Sequence, residues 1–211
     1  MRKIFTTIGI ILTSFSCAQS QTKLSSEDVL KKILQNVDSS QTMIIDLSIS
    51  MHIKDPILDR VLKQQVKIKG DKYLIHDEEI DVICDGIESY TINKVNKNWK
   101  VSLVADEDPT DIIPTNMFSF FRNGYTSKSN GVKKDNQDRE IMTIILTPLN
   151  KENLRYSSIL LYVDTKKFEI TKSIFNQSNG NIFTYEINSI SKNIEINDSV
   201  FIFDKTKYPK K

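Results

Sequence analysis

His52 and His76 are the only side chains in this 211-residue chain whose ordinary pKa suits proton transfer near neutral pH. Neither has the neighbours that such chemistry needs. The sequence holds no Gly-x-Ser-x-Gly elbow, no glycine-rich phosphate loop and no Cys-x-x-Cys pair. His76 is followed by Asp77, Glu78, Glu79, Asp81 and Cys84, which are all metal-ligand types. Their carboxylates are nearly consecutive and fall between two strand-like runs, so they read as a solvated turn. Asp106-Glu107-Asp108-Pro109-Thr110-Asp111 offers oxygens to calcium but lacks the alternating spacing and central glycine of an EF-hand loop, and reads as a surface loop. Asp46 and Glu186 could form an acid pair only if buried, and each falls on the polar phase of its segment. Cys84 reads as a small buried hydrophobe, Trp99 as a core residue, and Lys205–Lys211 as a solvated tail. No catalytic residue, metal site or cofactor site is read from the chain.

Composition bounds what remains. Hydrophobic residues make up 39% and charged residues 27%, with 6 Gly, 5 Pro and 2 Cys, which excludes a disordered chain and a disulfide scaffold. Met1-Arg2-Lys3, the apolar stretch Ile4–Leu12 and the small-residue run Ser14-Phe15-Ser16-Cys17-Ala18 have the three regions of a secretory signal peptide. The expected division is a signal peptide at 1–18 and a single domain at 19–211. Its removal takes two of 29 basic residues and none of 27 acidic ones, which leaves a net charge of zero and no electrostatic warrant for a nucleic-acid partner. No apolar run approaches the roughly 20 residues that a spanning helix needs. Cleavage after Ala18 is favoured by Ser16 and Ala18. Acylation of Cys17, the alternative, would want a branched apolar residue where Ser14 stands. Either way Cys84 has no cysteine partner in the mature chain.

The elements follow from periodicity. Ser25 can cap a helix with Glu27 and Asp28 in its first turn and Val29, Leu30, Ile33, Leu34 and Val37 on one face. From Gln41 the period becomes two, with Ile45, Leu47, Ile49 and Met51 alternating with polar residues. Further strands are expected at Val61–Lys69, Lys72–Asp77, Glu79–Cys84, Glu88–Lys94, Trp99–Val104, Thr126–Lys133, Glu140–Thr147, Ser157–Asp164, Phe168–Phe175, Asn181–Ile190 and Val200–Phe203. Asn179-Gly180 is a strong hairpin turn. With no helix available for a crossover, these eleven or twelve strands form an antiparallel curved sheet or barrel.

The segment 105–124 interrupts the strands. It is expected to make one or two short helices, with Thr115 capping and Gly124 terminating. Ile112, Ile113, Met117, Phe118, Phe120 and Phe121 load it with apolar area. It reads either as a plug closing the open end of a barrel or as a mobile lid over an apolar cavity.

This arrangement resembles the outer-membrane lipoprotein carrier family, the LolA-like proteins. The resemblance rests on the order and spacing of Val66–Ile75 as strand-turn-strand, on Ile83-Cys-Asp-Gly-Ile-Glu-Ser-Tyr90, on the apolar insertion ending Phe118–Tyr125, on Leu146-Thr-Pro148 and on Asp198-Ser-Val-Phe201-x-Phe203. It implies a mainly β, α+β fold: an incomplete antiparallel β-barrel of about 11 strands, covered by the N-terminal helix and a short helical lid. It also implies a non-enzymatic, monomeric periplasmic carrier that holds lipoprotein acyl chains. The implied partners are an inner-membrane ABC-type releasing complex and an outer-membrane acceptor. On this reading Leu47, Ile49, Met51, Val66 and Ile68 line the cavity, and Ile113, Met117, Phe118 and Phe121 form the lid. Members of the family often latch the lid with an Arg on a strand after the first turn. No Arg occupies Lys72–His76, so Lys72 or His76 would have to substitute. Similar half-barrels serve as envelope lipid or lipoprotein sensors and as glycolipid-binding proteins, which is the alternative. A lipid-acting hydrolase ranks last.

Overall fold

A computed structural model describes residues 24–53, 59–106, 108, 111–150 and 155–208. The expected signal peptide, with Cys17, lies outside the described residues, as do Glu107, Pro109, Thr110 and the last three residues of the tail. Helix α1 (Ser26–Asp38) begins where the cap was expected. Ser25 is extended, and its Oγ accepts a hydrogen bond from the Asp28 N–H at 3.1 Å. Val29, Leu30 and Ile33 point into the core.

Eleven strands follow: β1 (Thr42–His52), β2 (Arg60–Lys69), β3 (Lys72–His76), β4 (Ile80–Cys84), β5 (Glu88–Asn93), β6 (Asn98–Leu103), β7 (Tyr125–Lys134), β8 (Glu140–Pro148), β9 (Tyr156–Asp164), β10 (Glu169–Gln177) and β11 (Ile182–Lys192). They form one antiparallel sheet in the order β6-β5-β4-β3-β2-β1-β11-β10-β9-β8-β7. Two meanders meet at the β1–β11 pairing. Strands β6 and β7 are the two ends, and among the described residues no pairing joins them, so the barrel is incomplete.

Strand alternation sorts the side chains onto two faces. On the inner face the registers align Ile45 with Val66, Ile75 and Val82, and Met43 with Ile68, Tyr73 and Cys84. On the other side of β1, Ile49 faces Tyr185, Tyr185 faces Ser173, and Ser173 faces Leu161. This face and α1 enclose the main core, in which Ile45, Ile144, Ile159, Leu161 and Val163 have no exposed surface.

The outer face of β3–β6 is covered by the C-terminal segment. Val200–Phe203 is not a twelfth strand. Residues Asp198–Phe201 form a 3-10 turn, capped by Asn197, whose side chain accepts from the Ser199 N–H. The alternation that suggested a strand instead serves to seat Phe201, 1% exposed, and to stack Phe203 on Tyr90 at 4.5 Å and against Trp99 at 5.0 Å. Trp99 is thus packed on the outer face, and its Nε1–H donates to the Tyr208 carbonyl at 2.6 Å. Lys69 and Lys72 both reach Asp198, at 2.9 and 3.2 Å.

The expected helices of the insertion are also corrected. Among the described residues it forms turns and two 3-10 turns, Val104–Asp106 and Phe120–Arg122. Thr115 is not the organising residue. The Asn116 side chain accepts from the Ile113 N–H and donates to the Asp111 carbonyl, both at 2.9 Å, while its own carbonyl accepts from the Ser119 and Phe120 N–H groups at 2.8 Å. Side-chain bonds of this kind offer the backbone an alternative to helix.

Candidate functional site

The sites first considered for chemistry resolve into structural roles. His52 Nδ1 meets Asp59 at 2.8 Å and His76 Nδ1 meets Asp81 at 2.7 Å, both as exposed pairs. Asp77 is buried rather than solvated. Burial alone would raise its pKa, but hydrogen bonds from the Gln64 side chain and from the Ile80 and Glu79 N–H groups outweigh it and hold the carboxyl below its usual range. Asp85 Oδ1 accepts from the Ile87 and Glu88 N–H groups, which makes Asp85-Gly86 a turn, with Gly86 at φ +96° beside the Asp71 backbone. Cys84 is fully buried in that corner. Among the described residues no three His, Cys, Asp or Glu side chains gather as a metal site.

The inner face does not fill completely. Between the sheet and the insertion lies a cavity of about 260 Å³. Leu47, Ile49 and Val66 form part of its floor, together with Phe175, Phe183, Tyr185 and Ile187. Ile113, Met117 and Phe118 line the opposite wall with Ile112 and Pro114. Three of the nine residues expected here lie elsewhere. Ile68, 4% exposed, packs in the main core, and Phe121 is buried behind the cavity against Phe120. Met51 lines a separate shallow recess with His52, Asp59 and Arg60.

The insertion therefore has two halves. Its second half is a plug: Phe118 and Phe121 belong to the main core, Phe120 makes edge contacts with Tyr125, and Arg122 bridges to Asp38 of α1 at 2.6 Å. Its first half is a roof. Ile112, Ile113 and Met117 are only partly buried and face the cavity.

An ion pair stands at the cavity's edge. Arg155, just before β9, pairs with Asp111, which opens the roof segment, and its guanidinium lies 5.8 Å from the centre of the Tyr156 ring. Lys72 and His76 play no part, because the register turns both to the outer face toward Asp198 and Asp81. Asp111 thus pairs with a residue of the cavity wall instead of lying in a bare surface loop. Among the described residues lining the cavity, Arg155 is the only charged one. Burial, with Tyr156 adding and Arg155 opposing, pushes the Tyr185 phenol up to about 12, so it stays neutral. Gln64, Ser173 and Gln177 supply the remaining polar groups. The inward alternation of Phe183 and Tyr185 was visible in the sequence. Arg155 and Asp111 carried no such signature, since both lie in loops.

No protein-family model matches the chain, and no curated protein matches it. Similar solved structures include the Mycobacterium tuberculosis lipoprotein LppX, with 10% identity, TM-score 0.48, and coverage of 82% of this chain and 99% of that one. A DUF1329 family protein from Desulfovibrio piger has 10% identity, TM-score 0.47, and coverage of 83% and 95%. A LolA superfamily protein from Nitrosomonas europaea has 12% identity, TM-score 0.43, and coverage of 86% and 99%. These likenesses concern the fold alone.

Proposed function

We propose that this chain is a periplasmic, non-enzymatic carrier that takes the acyl chains of lipidated proteins into its inner-face cavity and shuttles them between membranes. The observation that carries this reading is an apolar cavity floored by a rigid sheet and roofed by a segment without helix or strand. An acyl chain in water costs about 0.8 kcal/mol per methylene, so a shuttle must enclose it, and it must also let it go. Leu47, Ile49, Phe175 and Phe183 supply the enclosure; Ile112, Ile113 and the adaptable Met117 supply a cover that can shift. At about 260 Å³ the cavity lies below the ~300–1,000 Å³ usual for ligand pockets, so several long chains enter only if the roof moves. An inner-membrane ABC-type releasing complex and an outer-membrane acceptor are the partners that such a role requires.

The test is native mass spectrometry of the purified protein with a triacylated lipopeptide and with the same peptide unacylated. Binding that needs the acyl chains is expected, in about a one-to-one ratio, with at least a roughly tenfold loss in Met117→Asp. Capture of neither peptide would return the cavity to a packing defect. A second reading, an envelope sensor built on the same cavity, is separated by cell biology. Normal outer-membrane lipoprotein localisation after depletion of the protein would favour it.

A further inference from the structure

The cavity wall has one feature that an acyl-chain site does not need. A purely apolar cargo would be served by apolar walls, whereas a guanidinium at the edge of the pocket attracts an anionic partner. Here the partner is Asp111, the residue that leads into the roof. The Arg155 side chain is half-exposed, so solutes can reach the guanidinium, while the Asp111 oxygen that meets it is buried. Planar guanidinium favours carboxylate and phosphate oxygens, which it can hold through two N–H groups at once. The Tyr156 ring beneath it and Gln177 beside it line the same space.

From this geometry we infer that the cavity binds a single-chain anionic amphiphile, its chain on the Leu47–Ile49–Phe175 floor and its carboxylate or phosphate on Arg155 in place of Asp111. The inference rests on the reading of the cavity as an acyl-chain site and adds a headgroup to it. Size agrees: at roughly 30 Å³ for a water-sized group, about 260 Å³ admits about eight or nine carbons, most of a decyl chain.

The test compares decanoate, decyl phosphate and decanol as calorimetric ligands of the purified protein, with the triacylated lipopeptide alongside. At least one anion is expected to bind about tenfold or more tightly than decanol, the effect of one charge-assisted contact. Whichever anion leads tells a fatty acid from a lipid phosphate. Arg155→Gln should bring the anion down to the level of decanol while decanol is unchanged, which also shows that the variant is folded. Asp111→Asn should tighten the anion and leave decanol alone. Equal affinities for all three ligands would overturn the headgroup and leave the acyl-chain site standing. Binding of the lipopeptide with none of the decyl ligands would do the same. If nothing binds, lipopeptide included, the acyl-chain reading itself fails.

Discussion

The two faces of the sheet solve the same problem with opposite results. On the outer face of β3–β6, Leu74, Ile83, Tyr90 and Ile92 are covered by a segment whose Ile196, Phe201 and Phe203 fill the space; Ile92 and Phe201 are each 1% exposed. On the inner face, larger and more numerous apolar side chains are covered by α1 and by the insertion, and yet a void remains beneath Ile112–Met117. The difference lies in the cover. A cover that ends in aromatic anchors and is tied by Asp198 to two lysines packs down. The insertion, organised through Asn116 and pinned by Arg155 at its roof end and by Arg122 at its plug end, spans instead. Protein interiors are ordinarily packed like organic crystals, so the void beneath the roof is the departure on which the proposed acyl-chain binding rests.

Four substitutions break or sharpen this contrast. Phe201→Ala empties a fully packed site and should cost ~3–5 kcal/mol in denaturant unfolding, with acyl binding by the folded fraction unchanged. Leu47→Ala removes a residue equally buried but bordering the existing void, so its cost should fall near ~2–3 kcal/mol, with weaker binding. If Leu47→Ala proved the costlier of the two, the contrast between the faces would be wrong. Asp77→Asn should cost ~1–2 kcal/mol by weakening the hydrogen bonds that tie the β3–β4 turn to Gln64 of the cavity wall. The pH dependence has a fixed sign. Because the folded-state pKa of Asp77 is lowered, its contribution is fully present above the ordinary carboxylate range near 3.9 and fades as pH falls through the depressed value. The variant should therefore flatten the acid limb of a stability-against-pH curve. The smallest effect is expected from Ile49→Phe, which fills the void: a gain of ~0.5–1 kcal/mol in stability, with loss of acyl binding. Such a gain is not available at Phe201, which is already packed to 1% exposure within the C-terminal segment.

Much of the scaffold was legible in the sequence because its causes are local. Ser25 caps α1, the period-two run 43–51 gives β1, and Asn179-Gly180 turns β10 into β11 with Gly180 at φ +90°. Asp85-Gly86, one of the segments that suggested a LolA-like chain, owes its form to plain turn chemistry. The strand at 200–203 was misread because alternation reports which residues are buried and not what they are buried against. The helices of the insertion were misread because Asn116 diverts the backbone hydrogen bonds. The cavity floor could be read in part, since alternation assigns Leu47, Ile49 and Val66 to one face. It could not tell that Ile68 and Phe121 pack beyond the void, a matter of how far along the sheet the cover reaches. The pairing of Arg155 with Asp111 joins two loops, and nothing periodic announces it.

The pairing of β1 with β11 carries a consequence for how the molecule comes into being. The centre of the sheet joins residues as far apart as Met43 and Lys192, 149 positions along the chain, while every other strand pairs with its neighbour in sequence. Each meander can form through short hairpin closures, but the seam between them must wait for a long loop to close and for the last strand to be available. Folding should then show two early, local phases and one late one that completes the core. A chain cut before Ile182 would lose an interior strand rather than an edge, and leave two half-sheets with exposed borders that are candidates for association with other copies.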